Sequence, residues 1–403
     1  MSACQREIIL YDTSVLTFTI YLSDKFEWNS LMSDIVTGIL KNINKQQFAI
    51  RTAERSYRPG PADTIVQPDV VRRFGLTEGA TVTAQTERKK GRRKLLSIES
   101  VGGMEPEAFS KRSRFSDLVA VDPHERFDLG ASGQESMRIV DLIAPIGKGT
   151  RQLIVSPPKA GKTVLLEQIV QAIRQCSPKS RIIVLLVDER PEEVTHFRRA
   201  VEGAEVVAST SDHSADEHTE LAELMLDHIQ TELECGREIV LLIDSLTRMG
   251  RAFNNSKRRR GSQRHHTMSG GLEAGILEVP RRVFGLARNV ENGGSVTIVA
   301  TCLINTGSRM DQLIFEEFKG TGNSEIVLDR SLAEARIFPA IDIPASGTRK
   351  EAKLYSDKHT QGLATLRRVL SNYGPREAME ALFKLLQKYH TNSEFLESMS
   401  AGI

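Results

Sequence analysis

Cysteine is scarce in this chain. Its four residues, Cys4, Cys176, Cys235 and Cys302, are scattered, with no C-x-x-C pair and no histidine at ligand spacing. That argues against a disulfide scaffold or a zinc module and suits a reducing cytoplasm. Aromatics are thin at 5%, with one tryptophan, so they offer no broad stacking surface. Neither sign of charge prevails: 54 Lys+Arg against 52 Asp+Glu leaves a net charge of +2. A nucleic-acid surface would need local clusters of cations, not bulk charge. No apolar run approaches the length of a bilayer span, so no membrane partner is expected. The apolar stretch Ile8 to Leu22 is interrupted by Asp12 and by threonines, and no small-residue cleavage site follows. It reads as part of the fold, not as a secretory signal.

What remains is 403 residues, 40% hydrophobic and 26% charged, enough for two or three globular domains. Residues 1–45 form an N-terminal segment. Within it Ile8 to Leu22 alternates like a strand pair, and Leu31, Ile35 and Ile39 have helical spacing over 31–42. Over 46–112 short strands alternate with turns. Phe48–Arg51, Thr64–Val66, Thr81–Ala84 and Lys94–Ile98 are strand-like, and Arg58-Pro-Gly-Pro61 and Glu78-Gly79 are turns. That spacing predicts a small β-barrel. Residues 113–136 lack periodicity and read as a linker. From 137 to 403 apolar β-rich runs alternate with helical patterns, ending in a helical tail broken near Tyr373-Gly-Pro375. The alternation predicts an α/β domain with helices on both faces of a parallel sheet.

Ser156-Pro-Pro-Lys-Ala-Gly-Lys-Thr163 follows a strand and opens a helix. Successive backbone N–H groups and a helix N-terminus in that setting cradle phosphates. Lys162 would reach the outer phosphates of ATP, and Thr163 would offer its hydroxyl to Mg²⁺. Ser156 stands where a strict P-loop has glycine, and an ordinary strand–helix turn remains the bland reading. Two further strands end in acids. Asp244 closes Glu238 to Ile243 and suits Mg²⁺; Glu189 closes Arg181 to Asp188 and suits a general base for the attacking water. A carboxylate at a strand end is otherwise commonly just solvated. All three features belong to strand C-termini, the rim where open α/β sheets bind ligands.

With these residues in place, the chain resembles the transcription termination factor Rho family. The segments that carry the resemblance are Ala144-Pro-Ile-Gly-Lys-Gly149, Pro157 to Thr163, Asp188-Glu-Arg-Pro-Glu-Glu-Val-Thr195 and Asp244-Ser-Leu-Thr-Arg248. Arg288-Asn-Val-Glu291, Glu316 to Asn323, Phe338 to Asp342 and Ser346-Gly-Thr-Arg-Lys350 continue it, all collinear over 137–351. The resemblance implies a RecA-like P-loop ATPase domain behind an OB-fold barrel of cold-shock type. It also implies a homohexameric ring, ATP and Mg²⁺ at subunit interfaces, single-stranded RNA in the centre, and RNA polymerase as the complex acted on. It places nucleotide contacts at Gly147, Lys148, Gly149, Thr150, Arg151 and Gln152, and again at Lys159, Ala160, Gly161, Lys162, Thr163 and Val164. Arg190 and Arg248 fall on nucleotide-sensing positions, Phe338 on an adenine-stacking aromatic, Arg336 on an interface arginine and Arg349 on an arginine finger. Lys159, Lys162, Glu189, Arg336 and Arg349 then make up the catalytic set, with Thr163 and Asp244 on the metal. Any one of these arginines alone is an ordinary surface residue, and Phe338 alone an ordinary core one.

On the RNA path the resemblance implies contacts from Thr306, Gly307, Ser308, Arg309 and Lys319. Arg309 stands where the family usually has lysine. A second loop, about 254–271, carries Lys257-Arg-Arg-Arg-Gly-Ser-Gln-Arg-His-His266, more basic than the family pattern, with Arg264 and His266 on the path. Such a run is either a solvated charge block or, by its alignment position, a cationic pore lining. In the barrel the family's paired phenylalanines are replaced by Gln47-Phe48-Ala49, and Ile65 occupies another usually aromatic position. Arg72, Arg73 and the run Lys89 to Lys94 can hold phosphates without reading bases; the hairpin run can equally be a solvated tip.

The leading expectation is an ATP-driven RNA translocase that releases transcripts. A divergent paralogue acting on other RNA or single-stranded DNA, a rotary-type ATPase subunit and an inactive ring subunit are the alternatives.

Overall fold

The computed structural model describes residues 34–44, 47–89, 92–256, 271–273 and 275–401. The strand pair read over Ile8 to Leu22, and Arg264 and His266 of the basic loop, lie outside them. Among the described residues no helix is long and apolar enough to cross a membrane.

Strands β1 (Asp34–Asn44), β2 (Gln47–Arg51), β3 (Thr64–Val66), β4 (Thr81–Lys89) and β5 (Arg92–Val101) close into a barrel in the order β1-β2-β3-β5-β4. Val36, Leu40, Ile50, Val66, Val82, Ala84 and Val101 fill its interior. The helical spacing expected over 31–42 is corrected from Asp34 onward, where the chain is β1. A four-residue interval such as Ile35 to Ile39 fits one face of a strand as well as one face of a helix. The β-branched run Ile35-Val36-Thr37 and pairing on both edges, with β2 and β4, decide for the strand.

The second domain holds β6 (Ala120–Val121), β7 (Arg151–Ser156), β8 (Arg181–Glu189), β9 (Glu205–Thr210), β10 (Glu238–Asp244), β11 (Arg288–Val290), β12 (Ser295–Leu303), β13 (Ser324–Val327) and β14 (Gly347–Thr348). Its sheet runs β14-β13-β7-β12-β10-β8-β9, and every pair from β13 to β9 is parallel. The interiors of β8 and β10 are apolar throughout because both their faces are covered. In β8, Ile182, Val184 and Leu186 enter one core, and Ile183, Leu185 and Val187 the other. The helices Asp357–Leu370, Pro375–Leu386 and Asn392–Ala401 add Leu366, Leu382 and Phe395 to the first core.

Residues 113–136, read as a linker, lie against the second domain. β6 pairs with β11, Arg288 stacks 3.9 Å from the Phe115 ring centroid, and Phe127 and Leu129 are buried. A few anchors at irregular intervals dock onto a ready surface and leave no periodic trace.

The barrel is seated on the sheet through a buried polar cluster. The Tyr57 hydroxyl donates to Glu205, and Arg181 bridges Glu205 at 2.7 Å and Glu232 at 3.0 Å. Thr81 Oγ1 donates to Glu232 at 2.7 Å, and His228 Nδ1 meets the Gly79 carbonyl at 2.7 Å. Gly79 has φ +85°, and a Cβ there would fall 2.4 Å from the Asp227 carbonyl carbon. Gly79→Ala is therefore expected to destabilise the chain by about 1–3 kcal/mol, read as a lower denaturant midpoint.

Candidate active site

The phosphate loop joins β7 to the helix Lys162–Cys176, with Lys159 (φ +65°) and Gly161 (φ +88°) in left-handed conformation. The helix N-terminus is thereby turned toward the strand C-termini. Lys162 reaches across the end of β12 to the last residue of β10, its Nζ lying 2.8 and 2.6 Å from the two Asp244 carboxylate oxygens. Asp244 is buried and also accepts from Thr301 Oγ1 at 2.7 Å.

Glu189, last in β8, is 1% exposed. Its Oε1 accepts from Arg248 Nη2 at 2.8 Å and from the Arg190 amide at 3.2 Å, while Oε2 is buried without a partner. Burial first, and then the Asp244 carboxylate, push the Glu189 carboxyl up to about 7, against the pull of Arg248 and Lys162. An acid so perturbed beside a phosphate loop is suited to take a proton near neutral pH. Arg248 holds its position through a second bond to the Asp188 carbonyl at 2.5 Å.

Phe338 is 47% exposed, and a Cβ on Gly161 would lie 3.3 Å from its ring. The ring therefore stands over the phosphate loop. Arg336 (φ +59°), two residues earlier, is exposed, as are Lys159, Val164 and Arg190.

Lys162, Asp244, Glu189, Arg248 and Phe338 thus share one rim. Gly147, Lys148, Gly149, Thr150, Arg151 and Gln152, also placed at the nucleotide by the resemblance, lie elsewhere in the protomer. Gly147 to Thr150 precede β7 and Arg151 and Gln152 begin it, so the length of that strand, about 17 Å, lies between its start and the phosphate loop. Lys148 is paired with Glu125 and Glu238, Gly149 donates to Thr297, and Gln152 is fully buried. Arg349 lies at that far end too. Its amide donates to Asn323 O at 2.8 Å, and Asn323 Oδ1 accepts from the Arg151 amide at 2.7 Å. Arg349 is exposed.

The loop after β12 is built around Asp311, which is 1% exposed. Asp311 accepts from Thr306 Oγ1 at 2.6 Å and from Arg251 at 2.7 and 2.5 Å, and its amide donates to Ser308 Oγ. Gly307 and Arg309 are exposed beside it. Lys319 ends the helix Arg309–Lys319 that Arg309 begins, about 15 Å away, so it is not part of that loop. Arg72 and Arg73 are exposed at the end of the barrel helix Pro68–Arg73. Phe48 packs toward the barrel core, Ala49 is buried and Ile65 is exposed. The outer face of β2 and β3 therefore offers no aromatic ring. Sequence reasoning missed Thr301, Arg251 and Asp311; they are mid-strand or helix-surface residues whose partners lie 57 to 60 positions away, a pairing with no local signature.

Among the described residues no group of three or more His, Cys, Asp or Glu side chains could hold a metal. One carboxylate and one hydroxyl, Asp244 and Thr163, are nevertheless a fitting donor set for Mg²⁺, which keeps water and takes phosphate oxygens as further ligands.

A phosphate loop, two strand-end acids and a RecA-like sheet define a P-loop ATPase, here fused to an RNA-binding type of barrel. The family profile for the ATP synthase alpha/beta family, nucleotide-binding domain, matches residues 136–348, and that for the Rho termination factor, RNA-binding domain, matches residues 36–107. Transcription termination factor Rho of Aquifex aeolicus is 46% identical over 91% of this chain and 85% of its own length. That of Cereibacter sphaeroides is 44% identical over 90% and 86%, and that of Pseudomonas aeruginosa 43% over 90% and 87%. Among solved structures, a prototypical ATPase from the type III secretion system of pathogenic bacteria superposes with TM-score 0.58 at 23% identity, covering 70% of this chain and 86% of that one. The assembled ATPase EscN from enteropathogenic E. coli gives 0.57 at 18%, covering 92% and 97%; both share the fold. The chain belongs to the transcription termination factor Rho family.

Proposed function

We infer that this chain is an RNA-dependent ATPase of the Rho family that translocates along single-stranded RNA and releases transcripts from RNA polymerase. It would work as a homohexameric ring with ATP and Mg²⁺ between protomers. The observation that carries the ring is the separation of Arg349 from Lys162 by the length of β7, more than an arginine side chain can span. In this reading a second copy brings its Arg349 to the phosphates held by Lys159, Lys162 and Thr163. Glu189 takes a proton from the attacking water as its oxygen bonds to the γ-phosphorus and the bond to ADP breaks. Lys162 and the neighbour's guanidinium balance charge on the transferring group. When bound on Asp244 and Thr163, Mg²⁺ supplies further charge neutralisation. Gly307 and Arg309, exposed in the Thr306–Arg309 loop, would meet RNA phosphates, with Lys319, Arg72, Arg73, Arg264 and His266 as further RNA contacts.

The barrel favours a second, narrower reading. Gln47, Ala49 and Ile65 leave no ring for bases to stack on, a contact worth about 1–3 kcal/mol per base. Capture would then rest on phosphate contacts, and the motor could accept RNA, or single-stranded DNA, of any composition. The test is ATP turnover with no polymer, poly(C), mixed-sequence RNA and single-stranded DNA. Turnover that needs a single-stranded polymer but ignores cytosine content is the result expected on this reading. Polymer-independent turnover would favour a rotary-type subunit, and strong selectivity for poly(C) would sink the barrel reading.

A further inference from the structure

Asp188 precedes Glu189 and has φ +55°, a left-handed backbone that non-glycine residues adopt only when their surroundings hold them there. It interrupts the register between β8 and β9, which shifts between Val187 and Glu189. A bulge of this kind re-aims the side chain that follows it. Here the following side chain is the Glu189 carboxylate.

Two hydrogen bonds hold the bulge, and a third group faces it. Its amide faces Ser209 Oγ at 3.5 Å, and its carbonyl accepts from Arg248 at 2.5 Å. Its carboxylate Oδ1 lies 3.6 Å from Nε2 of His218. His218 sits in the first turn of the helix Ala215–Glu234, which is fixed by a capping box of Ser214 and Glu217. The ring is 4% exposed, and its Nδ1 is buried without a hydrogen-bond partner. Burial pushes the imidazole below its ordinary range, with Asp188 pulling the other way. At 3.6 Å the contact is longer than a hydrogen bond, and a neutral ring with its proton on Nε2 would donate to Asp188 only on a closer approach. A buried histidine with one nitrogen unsatisfied is a costly way to fill a core position, and its Nε2 contact is to the residue that turns Glu189.

We propose that His218 is a positioning residue for ATP hydrolysis, holding the Asp188 bulge so that Glu189 meets the attacking water at a productive angle. The inference rests on the reading of Glu189 as the general base. His218 touches no reacting atom and acts only through Asp188.

The test uses the full chain with RNA, measuring kcat and KM for ATP, equilibrium ATP affinity and Tm. The variants are His218→Ala, His218→Gln, Asp188→Asn, the His218→Ala/Asp188→Asn double and Glu189→Gln. His218→Ala is expected to lower kcat by about tenfold to a hundredfold, the scale of a misaligned catalytic group, with KM and ATP affinity nearly unchanged. His218→Gln, which can still present an N–H to Asp188, is expected to recover much of that loss. Asp188→Asn, whose Oδ1 can still accept from His218, should keep more of kcat than His218→Ala, and the double variant should be no worse than His218→Ala alone. A wild-type kcat in His218→Ala overturns the proposal. So does a fall in Tm or ATP affinity that accounts for the whole loss in both His218 variants, or additive losses in the double. If Glu189→Gln keeps full turnover, the base reading fails instead, whatever His218 does.

Discussion

Replacing Arg349 with alanine should reduce RNA-stimulated ATP turnover by roughly 10³-fold or more, the effect of losing a finger supplied in trans. ATP binding and Tm should stay close to the parent. The residue is exposed and its backbone is held independently, the amide donating to Asn323. The neighbouring β14 is braced by Arg367, which bonds the carbonyls of Ser346 and Ile143 and chelates Glu351 at 3.1 and 2.7 Å. Arg349→Lys should not rescue, because lysine lacks the planar fork that spans two phosphate oxygens. Mixing separates a trans from a cis role. Arg349→Ala protomers combined with Lys162→Ala protomers contain some interfaces with both groups intact, and turnover should exceed that of either variant alone. If ATP affinity collapsed in Arg349→Ala and mixing restored nothing, the arginine would belong to assembly or to its own subunit.

The second large effect concerns Glu189. Glu189→Gln should cut kcat by about 10²–10⁴-fold, the range for a positioned general base, and leave ATP binding in place. In the parent, kcat/KM should rise as pH passes through about 7, because the carboxyl, pushed up to about 7, must lose its proton to act. Stability should move the opposite way. The folded chain holds this proton more tightly than the unfolded chain, whose carboxyl sits near the ordinary 4.5. Stability is therefore lost as pH rises from about 4.5 through about 7. Glutamine cannot ionise, so Glu189→Gln should gain Tm relative to the parent at pH 8 and show little gain at pH 5. Equal Tm differences at both pH values would mean that the carboxyl is not perturbed. A kcat/KM profile flat from pH 6 to 8 would remove it as the base.

The ATPase domain was largely readable because its signals are local. The runs 181–189 and 238–244 are apolar at every position save their ends, which only a doubly covered parallel strand needs, and each stops on its acid. The phosphate loop is contiguous, so backbone geometry follows from eight neighbouring residues. The barrel's first strand was misread because Ile35 and Ile39 satisfy both periodicities, and only pairing with β2 and β4 chooses between them. The docking of residues 113–136 left no trace in the sequence because docking needs anchors, not a period. Gly147 to Gln152 are close to Lys162 in the chain, yet β7 sets the start of that segment at the opposite rim of the sheet, a separation that only strand direction decides.

By itself the sequence determined which chemistry is present: a phosphate loop, two strand-end acids, a row of candidate arginines and a barrel poor in aromatic rings. Those are properties of residue type and short spacing, and they survive without coordinates. Only the tertiary structure decided which groups meet. Sheet order brings Lys162 to Asp244 across β12, a left-handed turn at Asp188 aims Glu189 at Arg248, and the length of β7 keeps Arg349 from its own phosphate loop. Those distances arise from strand order and register, long-range hydrogen bonding that no window of neighbouring residues encodes.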